Sequence, residues 1–208
     1  MHRNKNSCNV YWLDNNIYLN ITNRCSNNCV FCIKKYTTGI QQFNLKLQKE
    51  PTTEQVIEEL RRVINQKNWT EIVFCGFGEP TQRLDTVLEV TRWIKAQGNK
   101  KVRVDTNGHG YLLNKGRNVI QELKQAGVDK LSVSLNAPDK ETYNQICKPA
   151  FNDAYENVQE FIKKAVQAGL ETEATAVTVP EVDMSKVKEL SESLGARFVA
   201  RQYIPFFF

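Results

Sequence analysis

No run of apolar residues in the chain approaches the roughly 20 needed to cross a bilayer, and nothing in it reads as a signal peptide. Membrane insertion is therefore not expected. Charge of one sign is also scarce: a formal net charge of +5 is too mild for a dedicated nucleic-acid binder and is compatible with an anionic substrate. A disulfide framework is lacking as well. Of six cysteines, Cys8, Cys75 and Cys147 are scattered while Cys25, Cys29 and Cys32 are crowded, and three thiols cannot pair off among themselves. A reducing cytoplasm is the expected setting. The 208 residues suffice for one sizeable core, expected as a single domain over 16–208 behind a polar, basic arm over 1–15.

What is present is organised around Cys25-Ser-Asn-Asn-Cys29-Val-Phe-Cys32. A short loop with C-x3-C-x2-C spacing can aim three sulfurs at one face of a metal cluster. A tetrahedral zinc site needs a fourth ligand, and the neighbouring sequence supplies none. The spacing therefore favours an iron–sulfur cluster with one iron left open. A zinc knot completed from afar by His109 or Cys75 is the alternative.

Around this loop, runs rich in β-formers alternate with amphipathic stretches. Strands are expected over 16–22, 71–75, 102–105, 131–135, 172–179 and 198–204, and 34–47 reads as a long loop. Thr52 and Gln55 make a capping box for the first helix. Gly98 and Gly127 are placed as helix stops, and Asp139, Asp153 and Asp183 as helix starts. Such alternation calls for parallel, right-handed βαβ units. About six units are too few for a closed (β/α)8 barrel, so the prediction is α/β: a partial (β/α)6 TIM-type barrel of parallel strands, open on one side. Chemistry in such folds gathers at the strands' C-terminal ends, where the cysteines, 76–80, 105–110, 134–136 and 202–203 all fall.

With Phe31 before the third cysteine, the loop reads C-x3-C-x-Φ-C, and Phe77-Gly78-Glu79-Pro80 follows the second strand. In these motifs the chain resembles the radical S-adenosylmethionine (SAM) superfamily over nearly its whole length. The resemblance implies that Cys25, Cys29 and Cys32 hold three irons of a [4Fe-4S] cluster and that SAM chelates the fourth. It also implies a 5′-deoxyadenosyl radical that abstracts hydrogen from an unidentified substrate, and a one-electron reductant such as flavodoxin or ferredoxin. Phe31 becomes a wall against cluster or adenine. Phe77, Gly78, Glu79 and Pro80 match the family's Gly-Gly-Glu-Pro turn, which holds the SAM amine through backbone groups, and Gly76 before them adds backbone freedom. Phe77 departs from the usual glycine, which is tolerable at negative φ. Asn107 falls in a Thr-Asn-Gly similar to one after the third strand of several subfamilies, and Ser134 and Asn136 match positions that contact methionine carboxylate or ribose, their plainer reading being turn formation and backbone satisfaction. The family's fifth-strand adenine motif is not evident, which leaves Val177 and Val179 as stand-ins.

Cys147, after the fourth strand's exit, is placed as a catalytic thiol reaching the mouth. Its plainer reading is a small buried apolar residue, and Cys75 is read as core. Lys148 and Arg201 either bind an anionic substrate or are simply solvated. The run Ser-Leu-Asn-Ala-Pro-Asp, with Tyr-Asn-Gln-Ile-Cys-Lys-Pro and the closing Tyr-Ile-Pro, is similar to the TatD-associated radical SAM proteins, which makes a TatD-type hydrolase a candidate partner. The terminal phenylalanines at 206–208 are expected to cover the barrel's lower rim or an oligomer contact. Beside a radical enzyme acting on a small or nucleotide-like metabolite stand two other functions: an activase or modifier of a protein or RNA, and a non-enzymatic zinc module.

Overall fold

A computed structural model describes residues 7–203; the rim or oligomer role expected of the phenylalanines at 206–208 lies outside the described residues. In chain order the elements are β1 (Val10–Leu13), β2 (Asn16–Leu19), β3 (Gly39–Ile40), β4 (Phe43–Asn44), α1 (Thr53–Val63), β5 (Glu71–Phe74), α2 (Leu84–Ala96) and β6 (Val102–Thr106). Then come α3 (Gly110–Leu113), α4 (Val119–Ala126), β7 (Lys130–Ser134), α5 (Lys140–Cys147), α6 (Ala154–Gln167), β8 (Glu171–Val177), α7 (Met184–Ser193) and β9 (Arg197–Arg201).

One seven-stranded sheet runs β1-β2-β5-β6-β7-β8-β9. Its last six strands are mutually parallel and follow chain order, as right-handed crossovers require, and its two edges do not pair. This is the open, partial (β/α)6 barrel. The arm expected over 1–15 is corrected in its second half: Val10–Leu13 pairs antiparallel with β2 and forms an edge strand, turned at Asp14, whose φ is +50°. The stretch read as a long loop over 34–47 folds back as the β3–β4 hairpin. Buried Phe43 and Leu45 from this hairpin pack with Tyr11 and Phe77.

Alternation along the strands separates two environments. Ile17, Leu19, Ile72, Phe74, Val102, Val104, Leu131 and Val133 face the helices and join Val56, Leu60, Val87, Leu123 and Phe161 in the main core. Most of the intervening residues are polar and line the concave face, with Val73 an apolar exception. Arg103 sits between Glu71 at 2.6 Å and Asp105 at 2.8 Å, and Lys130 reaches Glu173 at 2.7 Å. Cross-strand pairing of opposite charges allows so many ionisable groups to be half-buried together. The helix limits follow the caps: Thr52 and Gln55 form a complete capping box, Asp139 and Asp183 accept from first-turn amides, and Gly127 ends α4 in the left-handed conformation. Asp153 precedes α6 without a side-chain cap bond.

Candidate active site

Cys25, Cys29 and Cys32 leave β2 on a loop that lies over the C-terminal ends of the parallel strands. All three thiols line one cavity of about 210 Å³. Phe31, Gly76, Phe77, Gly78, Glu79, Asn107, Ser134 and Asn136 line it too, so the three cysteines meet eight of the residues matched to the cofactor motifs there. Pro80 does not. It is buried at the start of a 3-10 turn, where proline's missing N–H costs nothing.

Cys147 does not line the cavity either, and its expected place at the mouth is corrected. It ends α5 on the core side, is 0% exposed, and its sulfur accepts from Asn136 Nδ2 at 3.4 Å. The Cys29 thiol lies close enough to interact with it. Cys75 moves the opposite way: read as core, it lies at the strand's end, is half-buried and lines the cavity.

The turn after β5 needs its glycines for space. A Cβ at Gly76 would stand 2.1 Å from Asn20 Oδ1, and one at Gly78 would stand 2.4 Å from the Thr22 carbonyl oxygen and 2.6 Å from that of Arg24. Neither glycine has a positive φ, and neither does Phe77. The departure at position 77 is thus free of backbone strain, with its ring sunk into the satellite core beside Tyr11 and Phe43.

Glu79 braces the site. One carboxylate oxygen accepts from Thr81 N at 3.0 Å, Thr81 Oγ1 at 2.7 Å and Thr106 Oγ1 at 2.7 Å, and the other accepts from Asn107 N at 2.6 Å. Burial pushes its pKa up while these donors pull it back. From Asn107 the network continues into the cysteine loop. Its Nδ2 donates to Ser26 Oγ at 2.9 Å, Ser26 Oγ meets His109 Nδ1 at 2.8 Å, and His109 Nε2 meets Tyr143 Oη at 2.9 Å. Asn27 Nδ2 donates to that same phenol at 3.2 Å, leaving Asn27 Oδ1 buried with no partner among the described residues. Burial holds His109 down to about 4, so the ring is neutral and presents one donor and one acceptor to its two partners.

The sequence reading missed Asn27, Ser132 and the Ser26–His109–Tyr143 chain. For Ser132 a signal exists, since it shares a strand face with Ser134; the chain joins positions 83 and 34 residues apart, which no local pattern reveals.

The donor set suits an iron–sulfur cluster. Sulfur atoms of such clusters take N–H donors, and Asn27 N lies 3.4 Å from Cys25 Sγ, with Asn107 Nδ2 at 3.8 Å. Burial, with the Glu79 carboxylate, pushes the Cys25 thiol up to about 12. The neighbouring Cys147 thiol and burial raise Cys29, and burial raises Cys32. Binding of thiolate ligands here therefore has to release protons. No group of three or more His, Cys, Asp or Glu side chains converges on a single-ion site among the described residues. His109, the distant zinc ligand considered above, has both ring nitrogens committed.

This arrangement defines a class, the parallel half-barrels that carry a three-cysteine loop at the mouth. The family model of the Radical SAM superfamily matches residues 19–194, and the chain belongs to that superfamily, whose cofactors are a [4Fe-4S] cluster and SAM. Among curated proteins, a "Probable GTP 3′,8-cyclase" of Saccharolobus islandicus is 32% identical over 180 residues, covering 85% of this chain and 53% of that protein. A protein of the same name from Methanocaldococcus jannaschii is 29% identical, covering 90% and 58%. The chain thus spans about half the length of the curated relatives it matches. The fold is shared with TYW1 carrying a lysine-pyruvate adduct (TM-score 0.64, 18% identity, 92% of this chain and 65% of that one). It is shared also with Streptococcus suis SuiB bound to S-adenosylmethionine (0.66, 17%, 91% and 40%). No helix among the described residues is long and apolar enough to cross a membrane.

Two outcomes test this network. Glu79→Gln places an amide donor against donors and should cost ~1–3 kcal/mol in urea unfolding of the cluster-free protein. The second concerns His109, whose folded pKa lies below its value of 6.5 when unfolded. The unfolded chain then binds the extra proton, so the stabilisation is complete above pH 6.5 and is lost as pH falls toward 4. Cluster-free protein should lose ~2 kcal/mol between pH 7 and pH 5 from this group, and a His109→Gln variant should show a correspondingly flatter pH profile.

Proposed function

We propose that the chain is a radical SAM enzyme core in which Cys25, Cys29 and Cys32 hold three irons of a [4Fe-4S] cluster and SAM takes the fourth. The observation that carries this reading is the meeting of the three thiols, the Gly76–Glu79 turn, Asn107, Ser134 and Asn136 on one cavity. When bound, the cofactors supply reductive cleavage of SAM to a 5′-deoxyadenosyl radical that abstracts hydrogen from a substrate.

The chain's own residues bind and orient. The crowded turn at Gly76 and Gly78 brings backbone within reach of the SAM amine, while the orphan acceptor Asn27 Oδ1 suits a donor on the same ligand. Ser134 offers a hydroxyl for carboxylate or ribose. Asn136, held at a φ of +60° with its amide turned toward Cys147, acts by fixing the strand exit. An adjoining cavity of about 330 Å³, walled by Phe31, Ile33, Val177 and Tyr203, offers the apolar surface an adenine ring requires.

For the substrate we favour a small, nucleotide-like metabolite over a protein or RNA. The support is the likeness to relatives named for GTP and a 210 Å³ cavity floored by Ser132, Asp105 and Arg201. Arg201 Nη2 donates to Ser132 Oγ at 2.9 Å and lies 3.6 Å from Asp105 Oδ2, so an anionic substrate would share this guanidinium with that carboxylate. The likeness of 134–149 to the TatD-associated proteins keeps a TatD-type hydrolase as a candidate partner. Flavodoxin or ferredoxin is the candidate reductant.

Anaerobic reconstitution with iron and sulfide should give a brown protein that cleaves SAM to 5′-deoxyadenosine, and Cys32→Ala should lose both iron and cleavage. A colourless protein that takes up zinc alone and never cleaves SAM would sink the proposal. Deuterium passed from candidate substrates into 5′-deoxyadenosine identifies the atom abstracted.

A further inference from the structure

The cysteine loop has two sides. Its sulfurs face the barrel, while Asn28, Lys34 and Lys35 face outward into a cleft of about 710 Å³ that also takes in Lys46 from the segment after β4. None of the three cysteines lines this cleft, and neither does any carboxylate. Lys35 Nζ donates to the carbonyl oxygen of Asn28, beside Cys29, at 3.1 Å. None of the three lysines forms a salt bridge among the described residues.

A ligand in this cleft is separated from the reacting atoms by the thickness of the loop and by the ring of Phe77, which lines both cavities. Hydrogen abstraction needs van der Waals contact, so a substrate held here could not react. An electron needs only a short path, and this is the outer face of the ligand loop itself. Lys35 and Lys46 are exposed and Lys34 is half-buried, and no arginine lines the cleft with them. They are therefore built for attracting a charged protein face rather than for cradling one phosphate.

We propose that the cleft lined by Lys34, Lys35 and Lys46 is the docking surface for an acidic one-electron carrier protein that reduces the cluster. The inference rests on the radical SAM reading above. The carrier is oxidised by one electron, the cluster is reduced by the same electron, and no proton or group is transferred. Attraction between the lysines and the carrier's carboxylates steers the encounter and weakens with salt, because screening over about 8 Å at physiological ionic strength removes it.

The test uses flavodoxin and ferredoxin separately as probes, titrated anaerobically into reconstituted protein by calorimetry. A Lys34→Glu/Lys35→Glu/Lys46→Glu variant should bind the carrier at least about tenfold more weakly, while Lys186→Glu/Lys188→Glu on α7 binds as the unaltered chain does. The ratio of carrier-driven to dithionite-driven SAM cleavage should fall by a similar factor. Should the triple variant lose its cluster, carbodiimide cross-linking of the unaltered protein to the carrier, mapped to Lys34, Lys35 or Lys46, is the expected result; links confined elsewhere overturn the proposal. Equal carrier affinity in the triple variant overturns it too, as does inorganic triphosphate binding in the cleft while neither carrier binds. Absence of dithionite-driven cleavage in the unaltered chain would instead remove the radical SAM reading, so the two failures are distinguishable.

Discussion

A carboxylate taken out of water persists only where donors replace its hydration shell, and Glu79 has four such donors drawn from two strand exits. The exit of β5 is thereby tied to that of β6, and the spacing between them sets where the turn at 76–78 presents its backbone. The same carboxylate fixes Asn107 N, which aims the Asn107 side chain at Ser26 and at Cys25 Sγ. Through Ser26, His109 and Tyr143 the constraint returns to Asn27 within the cysteine loop. The three-cysteine loop is thus anchored by buried neutral and charged hydrogen bonds, rather than by its own secondary structure, which amounts to one short 3-10 turn. Buried networks of this kind rigidify only when nearly every member is satisfied. Among the described residues of this network the one orphan, Asn27 Oδ1, belongs to a residue that lines the cavity.

The sheet makes that cavity polar by its period. The central strands give most of their apolar residues to the helices and mostly polar ones to the concave face, where Arg103 pairs with Glu71 and Asp105 and Lys130 pairs with Glu173. A closed eight-stranded barrel fills its interior with branched apolar side chains. Six parallel strands that do not close leave a concave face too wide to fill that way, and ion pairs with short serines and threonines line it instead. Ser132, Ser134, Asp105 and Arg201 are consequences of this arrangement before they are parts of a site.

Much of the architecture was legible because periodicity and caps are local. The Thr52–Gln55 box, the Gly127 stop and the six parallel strands all emerge from short windows of sequence. The cysteine loop was legible because ligand spacing is itself a short-range constraint. What escaped depends on distant partners. Val10–Leu13 is only four residues long, and its identity as a strand lies in pairing with β2. Cys147 lies near the loop, but which side of α5 faces the core is decided by packing against Cys29 and Asn136. Cys75, at the end of an apolar run, reads as core until the strand's end is seen to open into the cavity.

Phe77 joins these misreadings into one explanation. In a turn whose neighbours must be glycine to clear Asn20 and the carbonyls of Thr22 and Arg24, a phenylalanine looks like the weakest point of the motif. Its ring, however, points away from those contacts and is 8% exposed in a cluster with Tyr11 of β1, Phe43 of β4 and Leu45. Burying an aromatic ring of that size stabilises by ~2 kcal/mol or more, but only if apolar surface waits for it. The edge strand and the small hairpin, both read from sequence as irregular, provide that surface. The departure from glycine and the two unforeseen β elements are therefore one feature. It closes the near side of the cavity with an aromatic wall and leaves the lysine-bearing face of the cysteine loop standing free on the other side.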